Sequence, residues 1–364
     1  MNFSKQDTKM IKGVAIIFML MHHLWGFPDR YYNGTVYYGF LFNGKNIWVQ
    51  LGQFGQICVS IFAFLGGYAL YINCNKEHYF LRKIQSLYFG YWKVFAVVVP
   101  IGFLFFREQE VYCKAESLCS VFGMFSIESL MMNFLGVFHT YNAEWWFFLF
   151  FIKCIFVGVV FAKLCKKINN YYLEFLIILL IMFLTDNLVP TIAKYDDALK
   201  VIYKNFLFED LFDHTIFKIM FLFGITFAKY NLLNQVYGFL EEKNKIIRKF
   251  VAVFTIIIIF FMRTMIVRNM DYIYVPIMIV SLYELLNVTV LKNAFSYLGG
   301  HSANIYYSHT FFCYYFGITA SMVYKINNPV MSLINLLLIS LAFSIIINKM
   351  YEWINKLLKK IKLV

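Results

Sequence analysis

The stretches VAIIFMLMHHLWGF (14–27), LEFLIILLIMFL (173–184) and FVAVFTIIIIFFM (250–262) decide the fold class of this sequence. Each approaches the roughly 20 apolar residues with which a helix crosses a hydrocarbon core of about 30 Å. Similar runs recur along all 364 residues, of which 61% are hydrophobic and only 15% charged. An average soluble domain carries roughly 25% charged residues. The sequence therefore predicts an all-α, polytopic bundle of transmembrane helices.

We expect about ten membrane-spanning helices, with both termini on the cytoplasmic side. An even number of spans places the termini on one side, and most loop lysines and arginines lie on that side, as the positive-inside rule requires of cytoplasmic loops. The net charge of +13 then suits anionic lipid head groups rather than nucleic acid. The predicted spans are residues 11–27, 50–72, 87–106, 143–163, 172–190, 213–230, 248–267, 271–290, 302–324 and 329–351.

Two segments outside this pattern carry further expectations. We divide the chain into a membrane domain, residues 1–351, and a basic amphipathic cytoplasmic tail, residues 352–364, which is predicted to lie on the inner leaflet. Residues 117–138 are either an eleventh span or, as Glu116 and Glu128 favour, an interfacial or re-entrant segment.

The seven cysteines are scattered without the spacing of metal ligands. We therefore predict that the protein binds no metal. Cys113 and Cys119 share one predicted outer loop, where a disulfide is the alternative to two free thiols. The sequence gives no indication of an oligomeric state.

Titratable side chains at bilayer depth cost several kcal/mol, so they are candidates for function. Lys12 and His23 are eleven residues apart, a spacing that places them on one face of a helix, about 16 Å apart along its axis. His22 points away from this stripe, and we expect it to hydrogen-bond with a neighbouring helix. For His23 the same structural role, a hydrogen bond to a neighbouring helix, is the alternative to a functional role.

A second polar stripe lies in the ninth predicted span, where Ser302, Tyr306 and His309 follow one another at spacings of four and three. Such a stripe either holds helices together or contributes to a site.

Other charged residues lie near the predicted ends of spans. Arg82 and Lys83 either serve the positive-inside bias or bind phosphate, for which both side chains are suited. Glu144, before two tryptophans, is either a solvated carboxylate or a catalytic one. Arg263 and Arg268 have a lipid or structural role, with an anionic acceptor as the alternative.

Several of these stretches resemble the acyltransferase family 3 membrane proteins. KGVAIIFMLMHH (12–23) is similar to the family's first helix, in which a basic residue stands eleven positions before a His. ICVSIFAFLGGYAL (57–70) resembles its second helix, with Gly66 where Ser is usual. FLRKIQSLYFGYW (80–92) resembles its third, with Ser86 where a second basic residue is usual. TYNAEWWFFLFF (140–151) and LGGHSANIYYSHT (298–310) resemble its fourth helix and a late helix.

The resemblance implies an integral membrane O-acyltransferase of surface glycans, located in the plasma (inner) membrane. Acetyl-CoA or another acyl-CoA would be the cytoplasmic donor, and a polysaccharide or glycolipid hydroxyl the acceptor. Lys12, Arg82 and Lys83 would then bind the donor phosphates. His23 would act as general base or as a transient acyl carrier.

His309 and Tyr306 would orient His23 or stabilise the carbonyl oxygen, and Glu144 completes the candidate catalytic set. Two alternatives use the same buried residues. One is a polytopic transporter or flippase, and the other is a non-catalytic subunit of an envelope polysaccharide machine.

Overall fold

The computed structural model describes residues 3–112, 118–205, 209, 212, 214–266 and 270–361. This part of the chain is almost entirely helical, as the apolar runs predict. The α-helices in chain order are α1 (Lys5–Trp25), α2 (Ile47–Gly55), α3 (Ile57–Asn73), α4 (Tyr79–Phe105), α5 (Ile127–Phe134), α6 (Trp146–Leu164), α7 (Tyr171–Phe183), α8 (Val189–Ile192), α9 (Asp197–Tyr203), α10 (Thr215–Lys229), α11 (Leu232–Glu241), α12 (Lys245–Met265), α13 (Asp271–Leu286), α14 (Thr289–Gly300), α15 (Ser302–Thr310), α16 (Gly317–Tyr324) and α17 (Pro329–Ile361).

Short elements join these helices. Two antiparallel hairpins pair β1 (Leu41–Phe42) with β2 (Lys45–Asn46), and β3 (Glu110–Tyr112) with β4 (Leu118–Ser120). The remaining elements are the 3-10 turns Pro28–Arg30, Tyr32–Gly34, Ala143–Trp145 and Cys165–Lys167, and the π-helices Leu184–Leu188 and Phe311–Tyr315.

Several helices are long and apolar enough to cross a membrane, so the chain is a membrane protein. Within the described residues five segments meet this requirement by length and composition, and a sixth does so if α10 and α11, which meet at 64°, form one span. The five are Ile47–Asn73, Tyr79–Phe105, Ala143–Lys167, Tyr171–Ile192 and Pro329–Leu357. The helices at the other four predicted spans are shorter, interrupted or richer in polar residues. The count of ten and the cytoplasmic termini stay predictions.

The ninth predicted span, 302–324, is broken rather than continuous. After α15 the π-helix widens the turn, and Phe316 adopts an extended conformation (φ −109°, ψ 99°) before α16 begins. The backbone N–H of Gly317 donates to Oε1 of Gln109 at 2.7 Å instead of to a helical carbonyl. This side-chain acceptor gives the break its physical cause, and π-helical turns are frequent at functional sites.

In the described part of the long segment after α4, no helix is long enough to be an eleventh span. Its only helix among the described residues is α5, whose 8 residues measure about 12 Å, too short to cross a bilayer. Cys113 lies outside the described residues, so the predicted disulfide does too. At the other end of the chain α17 continues to Ile361, so the predicted tail begins without a break in the helix.

The chain divides into two compact units. The first comprises Met1–Ala15, Ile57–Leu81 and Phe147–Ser296. Its centre is the close packing of α3 on α10. A Cβ atom at Gly67 would lie 1.8 Å from the carbonyl oxygen of Phe221, and one at Gly224 would lie 2.0 Å from that of Phe64. Small residues allow this backbone approach, as in other membrane helix pairs.

The second unit comprises Ile16–Gln56, Arg82–Trp146 and Tyr297–Val364. It contains the carboxyl-terminal half of α1, the turns that follow it, α4, hairpin β3–β4 and the helices from α15 onward. An aromatic cluster fills its interior, with Tyr91, Trp145 and Phe311 almost fully buried. All the predicted catalytic residues belong to this unit.

Candidate active site

The last turn of α1 places two histidines side by side with different environments. Nδ1 of His22 lies 2.9 Å from the carbonyl oxygen of Gly52 in α2. A Cβ atom at Gly52 would lie 2.3 Å from the backbone nitrogen of Gly26, so only glycine permits this approach of α2. The predicted hydrogen-bonding role of His22 is confirmed.

His23 faces a carboxylate instead of a backbone carbonyl. Its side chain is buried, and Nδ1 lies 3.9 Å from Oε1 of Glu144. This distance exceeds that of a hydrogen bond, so the contact is electrostatic. No hydrogen-bond partner of Nδ1 exists among the described residues. Because buried polar atoms are nearly always satisfied, His23 has capacity for a group that the chain itself does not supply.

Arg30 contacts the same oxygen of this carboxylate. Its Nη1 atom donates to Oε1 of Glu144 at 3.0 Å, and its guanidinium carbon lies 4.6 Å from the ring centre of Phe27. Burial opposes the charge on Arg30, but Tyr314 and Glu144 outweigh this effect and raise its pKa. The guanidinium therefore stays charged and fixes the Glu144 carboxylate against His23.

The turn that carries Glu144 is tied to the broken ninth span. Oδ1 of Asn142 accepts from the backbone N–H of Glu144 at 3.0 Å, and Nδ2 of Asn142 donates to Oγ1 of Thr310 at 2.7 Å. The hydroxyl of Tyr306 donates to the carbonyl oxygen of Glu144 at 2.7 Å. Nε1 of Trp145 adds a bond of 3.0 Å to the carbonyl oxygen of Tyr307.

His309 lies against His23, with ring centres 4.8 Å apart. Nδ1 of His309 lies 3.0 Å and 2.9 Å from the carbonyl oxygens of Ile305 and Tyr306. Since carbonyls only accept, Nδ1 carries the hydrogen and Nε2 presents a lone pair. This Nε2 atom is buried and has no hydrogen-bond partner within the described chain.

The backbone of His23 is fixed from the same side, because the hydroxyl of Tyr314 in the π-helix donates to the carbonyl oxygen of His23. The broken span therefore contributes His309, Tyr306 and Tyr314 to one neighbourhood. Tyr306 and His309 lie in regular α-helix, whereas the π-helix sets the position of Tyr314 relative to them.

The structure thus brings together four of the predicted residues: His23, His309, Glu144 and Tyr306. Two imidazoles beside a fixed carboxylate can accept, hold and return a proton. The tautomer of His309 favours the orienting role over stabilisation of a carbonyl oxygen, because Nε2 has no hydrogen to donate. Tyr306 likewise has its hydroxyl on the backbone of Glu144, which favours a positioning role.

The predicted donor-binding residues lie elsewhere on the helices. Arg82 is exposed and Lys83 half-buried, both near the amino-terminal end of α4, where the helix dipole also favours anions. Lys12 lies in α1, in the segment that belongs to the first unit. Their role in donor binding stays a prediction.

Arg263 has a structural partner. Its Nε atom lies 2.8 Å from Oδ1 of Asp271, whose other oxygen accepts from the hydroxyl of Ser60 at 2.5 Å. All three are buried, which favours the structural interpretation over an anionic acceptor. Arg268 lies outside the described residues.

Sequence reasoning missed Arg30 and Asn142 as parts of the site. Asn142 had a usable signal, since an Asn just before an apolar helical run is a typical N-cap. Arg30 had none, because it lies in a loop and its partner is distant in sequence. No group of three potential metal ligands occurs among residues whose placement is described.

Comparison with known families assigns the chain to one of them. The family model described as Acyltransferase domain matches residues 9–349. The chain therefore belongs to the acyltransferase family 3 proteins, the family that its motifs resemble, and is a membrane acyltransferase. Neither a curated protein nor a solved structure matches the chain.

Proposed function

We propose that the protein is a plasma-membrane O-acetyltransferase that moves the acetyl group of cytoplasmic acetyl-CoA to a hydroxyl of a surface polysaccharide or glycolipid. The observation that carries this proposal is the buried arrangement in which His23 lies 3.9 Å from Glu144 and 4.8 Å, centre to centre, from His309. A base with a fixed carboxylate is what transfer to a hydroxyl needs.

In the proposed reaction His23 acts as general base. Its Nδ1 side faces Glu144, so Nε2 takes the proton of the acceptor hydroxyl while the oxygen attacks the thioester carbonyl. The new C–O bond forms and the C–S bond breaks, and the imidazolium returns the proton to the thiolate of CoA. The negative charge of Glu144 stabilises the imidazolium between these two transfers.

The neighbouring residues would keep this pair in place. Nε2 of His309 can accept a hydrogen bond from the incoming hydroxyl or from His23. Tyr306 and Asn142 hold the backbone of Glu144, and Arg30 holds its carboxylate. Geometry of this kind matters because small displacements of catalytic groups lower rates steeply.

The donor is expected on the opposite side from the acceptor. Arg82 and Lys83 at the start of α4, together with Lys12, would bind the phosphates of CoA on the cytoplasmic face, since phosphates cannot enter hydrocarbon. Arg82 supplies a fork of donors and the lysines point charges. On the predicted topology, the residues of the loop after α1 lie on the outer side.

The test is transfer of radiolabelled acetyl from acetyl-CoA to membrane glycan by purified protein in vesicles. His23→Ala should lower the rate by roughly 10² to 10⁴, the usual contribution of a positioned base. His78→Asn is the matched control, because His78 is exposed and its ion pair is with the exposed carboxylate of Glu77, away from the site residues. Near-normal transfer by His23→Ala would refute the proposed base.

Two other outcomes separate the alternatives. Movement of a glycan across the vesicle membrane without covalent label would support the transporter interpretation. Label that stays on the protein at His23, in the absence of acceptor, would make His23 a transient acyl carrier rather than a base.

A further inference from the structure

A cavity of about 240 Å³ opens beside the candidate active site. Arg30 and Tyr314, which line it, also contact the site residues. Arg30 binds the carboxylate of Glu144, and Tyr314 binds the backbone of His23. The cavity therefore adjoins the atoms proposed to carry out acyl transfer.

Its size permits a small ligand group. Pockets for drug-sized ligands measure roughly 300–1,000 Å³. A cavity of about 240 Å³ that opens to solvent is thus large enough for a single ring with its substituents, while the rest of a longer acceptor can remain outside it.

The chemistry of its lining matches a polyhydroxylated ring. Asn33, Gln109 and four tyrosines contribute to it. Amides both donate and accept hydrogen bonds, and a tyrosine combines an apolar ring face with a hydroxyl. Burial, followed by the effects of Tyr37 and Asp29, raises the pKa of Tyr31, so its hydroxyl stays protonated and donates to the carbonyl oxygen of Trp25 at 2.9 Å.

The charge of the lining is negative. Its charged residues are Asp29, Arg30 and Glu110. The guanidinium of Arg30 is already balanced by Glu144 at 3.0 Å. Within the described part of the chain, no ion pair involves Asp29 or Glu110, which are both exposed. Among the described residues, neither of these two carboxylates is paired with a cation.

We propose that this cavity is the acceptor subsite and that it takes an uncharged sugar ring while rejecting carboxylated or phosphorylated sugars. The assignment rests on the proposed acyl transfer and specifies its acceptor. Like charges at short range repel each other, so an anionic ring next to Asp29 and Glu110 meets a penalty that a neutral ring of the same shape avoids. Arg263 was the alternative candidate for binding an anionic acceptor, but its guanidinium is paired with the carboxylate of Asp271.

The test uses two competitors of transfer to membrane glycan, methyl glucoside and methyl glucuronide. They share a ring and differ in one group, CH₂OH against carboxylate. With the wild-type protein we expect the glucoside to inhibit at about tenfold lower concentration. Raising the ionic strength should narrow this preference, because exposed charges are screened.

The variants Asp29→Asn and Glu110→Gln, alone and combined, should reduce the preference toward equal inhibition while the KM for acetyl-CoA stays the same. Glu108→Gln is the matched control, since Glu108 is exposed on the same segment but does not line the cavity. It should keep the wild-type preference.

The outcomes separate this assignment from the proposed function. Transfer that neither glycoside inhibits, or a preference that the combined variant leaves unchanged, would overturn the subsite alone. Stronger inhibition by the glucuronide would also overturn it. Absence of acetyl transfer to any membrane glycan by the wild-type protein would instead overturn the proposed function, and the subsite with it.

Discussion

Nδ1 of His23 and Oε1 of Glu144 lie 3.9 Å apart, and the same carboxylate oxygen is 3.0 Å from Nη1 of Arg30. The same oxygen thus faces a permanent cation, Arg30, and an imidazole that becomes a cation only when both of its ring nitrogens are protonated. The carboxylate is placed to respond to the charge on His23, and its position depends on Arg30.

Replacing Arg30 should weaken catalysis through Glu144. Arg30→Ala removes the group that fixes the carboxylate, so we expect kcat to fall on the order of tenfold. Arg30→Lys keeps the charge without the fork of donors and should restore part of the loss. Kinetics with labelled acetyl-CoA measure kcat and the donor KM, and the KM should stay unchanged. A wild-type kcat for Arg30→Ala would contradict the positioning role.

Replacing the buried imidazole of His309 tests its proposed contact with the reacting hydroxyl. His309→Gln keeps a similar volume but not the Nε2 lone pair in its present place, so transfer should fall by about tenfold or more. Protein abundance in the membrane should change little. If His309→Gln retains full activity, the orienting role of His309 is wrong, whatever the result for His23.

Tyr306→Phe removes one hydrogen bond, the 2.7 Å contact with the carbonyl oxygen of Glu144. We expect a loss of about 1 kcal/mol in the free energy of unfolding and a smaller fall in kcat than for His23→Ala. Thermal unfolding in detergent and the transfer assay measure both. Tyr195→Phe is the control, because Tyr195 is 87% exposed. Equal effects of the two variants would argue against the positioning role of Tyr306.

The buried pair of Arg263 and Asp271 should affect stability rather than acceptor binding. Arg263→Ala leaves the Asp271 carboxylate buried without its cation, which typically costs about 3–5 kcal/mol. Replacing both, as Arg263→Met with Asp271→Leu, should recover much of this loss. Unfolding temperature measures the effect, and the inhibition assay provides the contrast. An altered sugar preference with unchanged unfolding would restore the acceptor-binding interpretation.

The sequence predicted the parts of the fold and site that depend on local order. Apolar runs long enough to span a bilayer located the helices, and helical spacing placed Lys12 and His23 on the single helix α1. Helical spacing also directed His22 away from this face, which predicted a hydrogen bond to a neighbouring helix. The bond of His22 to Gly52 in α2 confirms that prediction.

Other features depend on contacts between residues far apart in the chain, which spacing cannot reveal. The break at Phe316 involves the side chain of Gln109, so the spacing within the ninth predicted span could not reveal it. The proximity of His23, Glu144 and His309 likewise follows from packing. The sequence identified Arg30 only as a positive charge in a loop, because its partner Glu144 lies far away in the chain.

Asp29 and Arg30 are consecutive residues of one short turn, and both line the cavity, while Arg30 also holds Glu144. A change in the length of this turn would move both at once, and so would disturb the reaction whenever it altered the cavity. We therefore expect relatives of this protein to diversify their acceptors by exchanging side chains at position 29 and in hairpin β3–β4, with the turn itself kept at constant length.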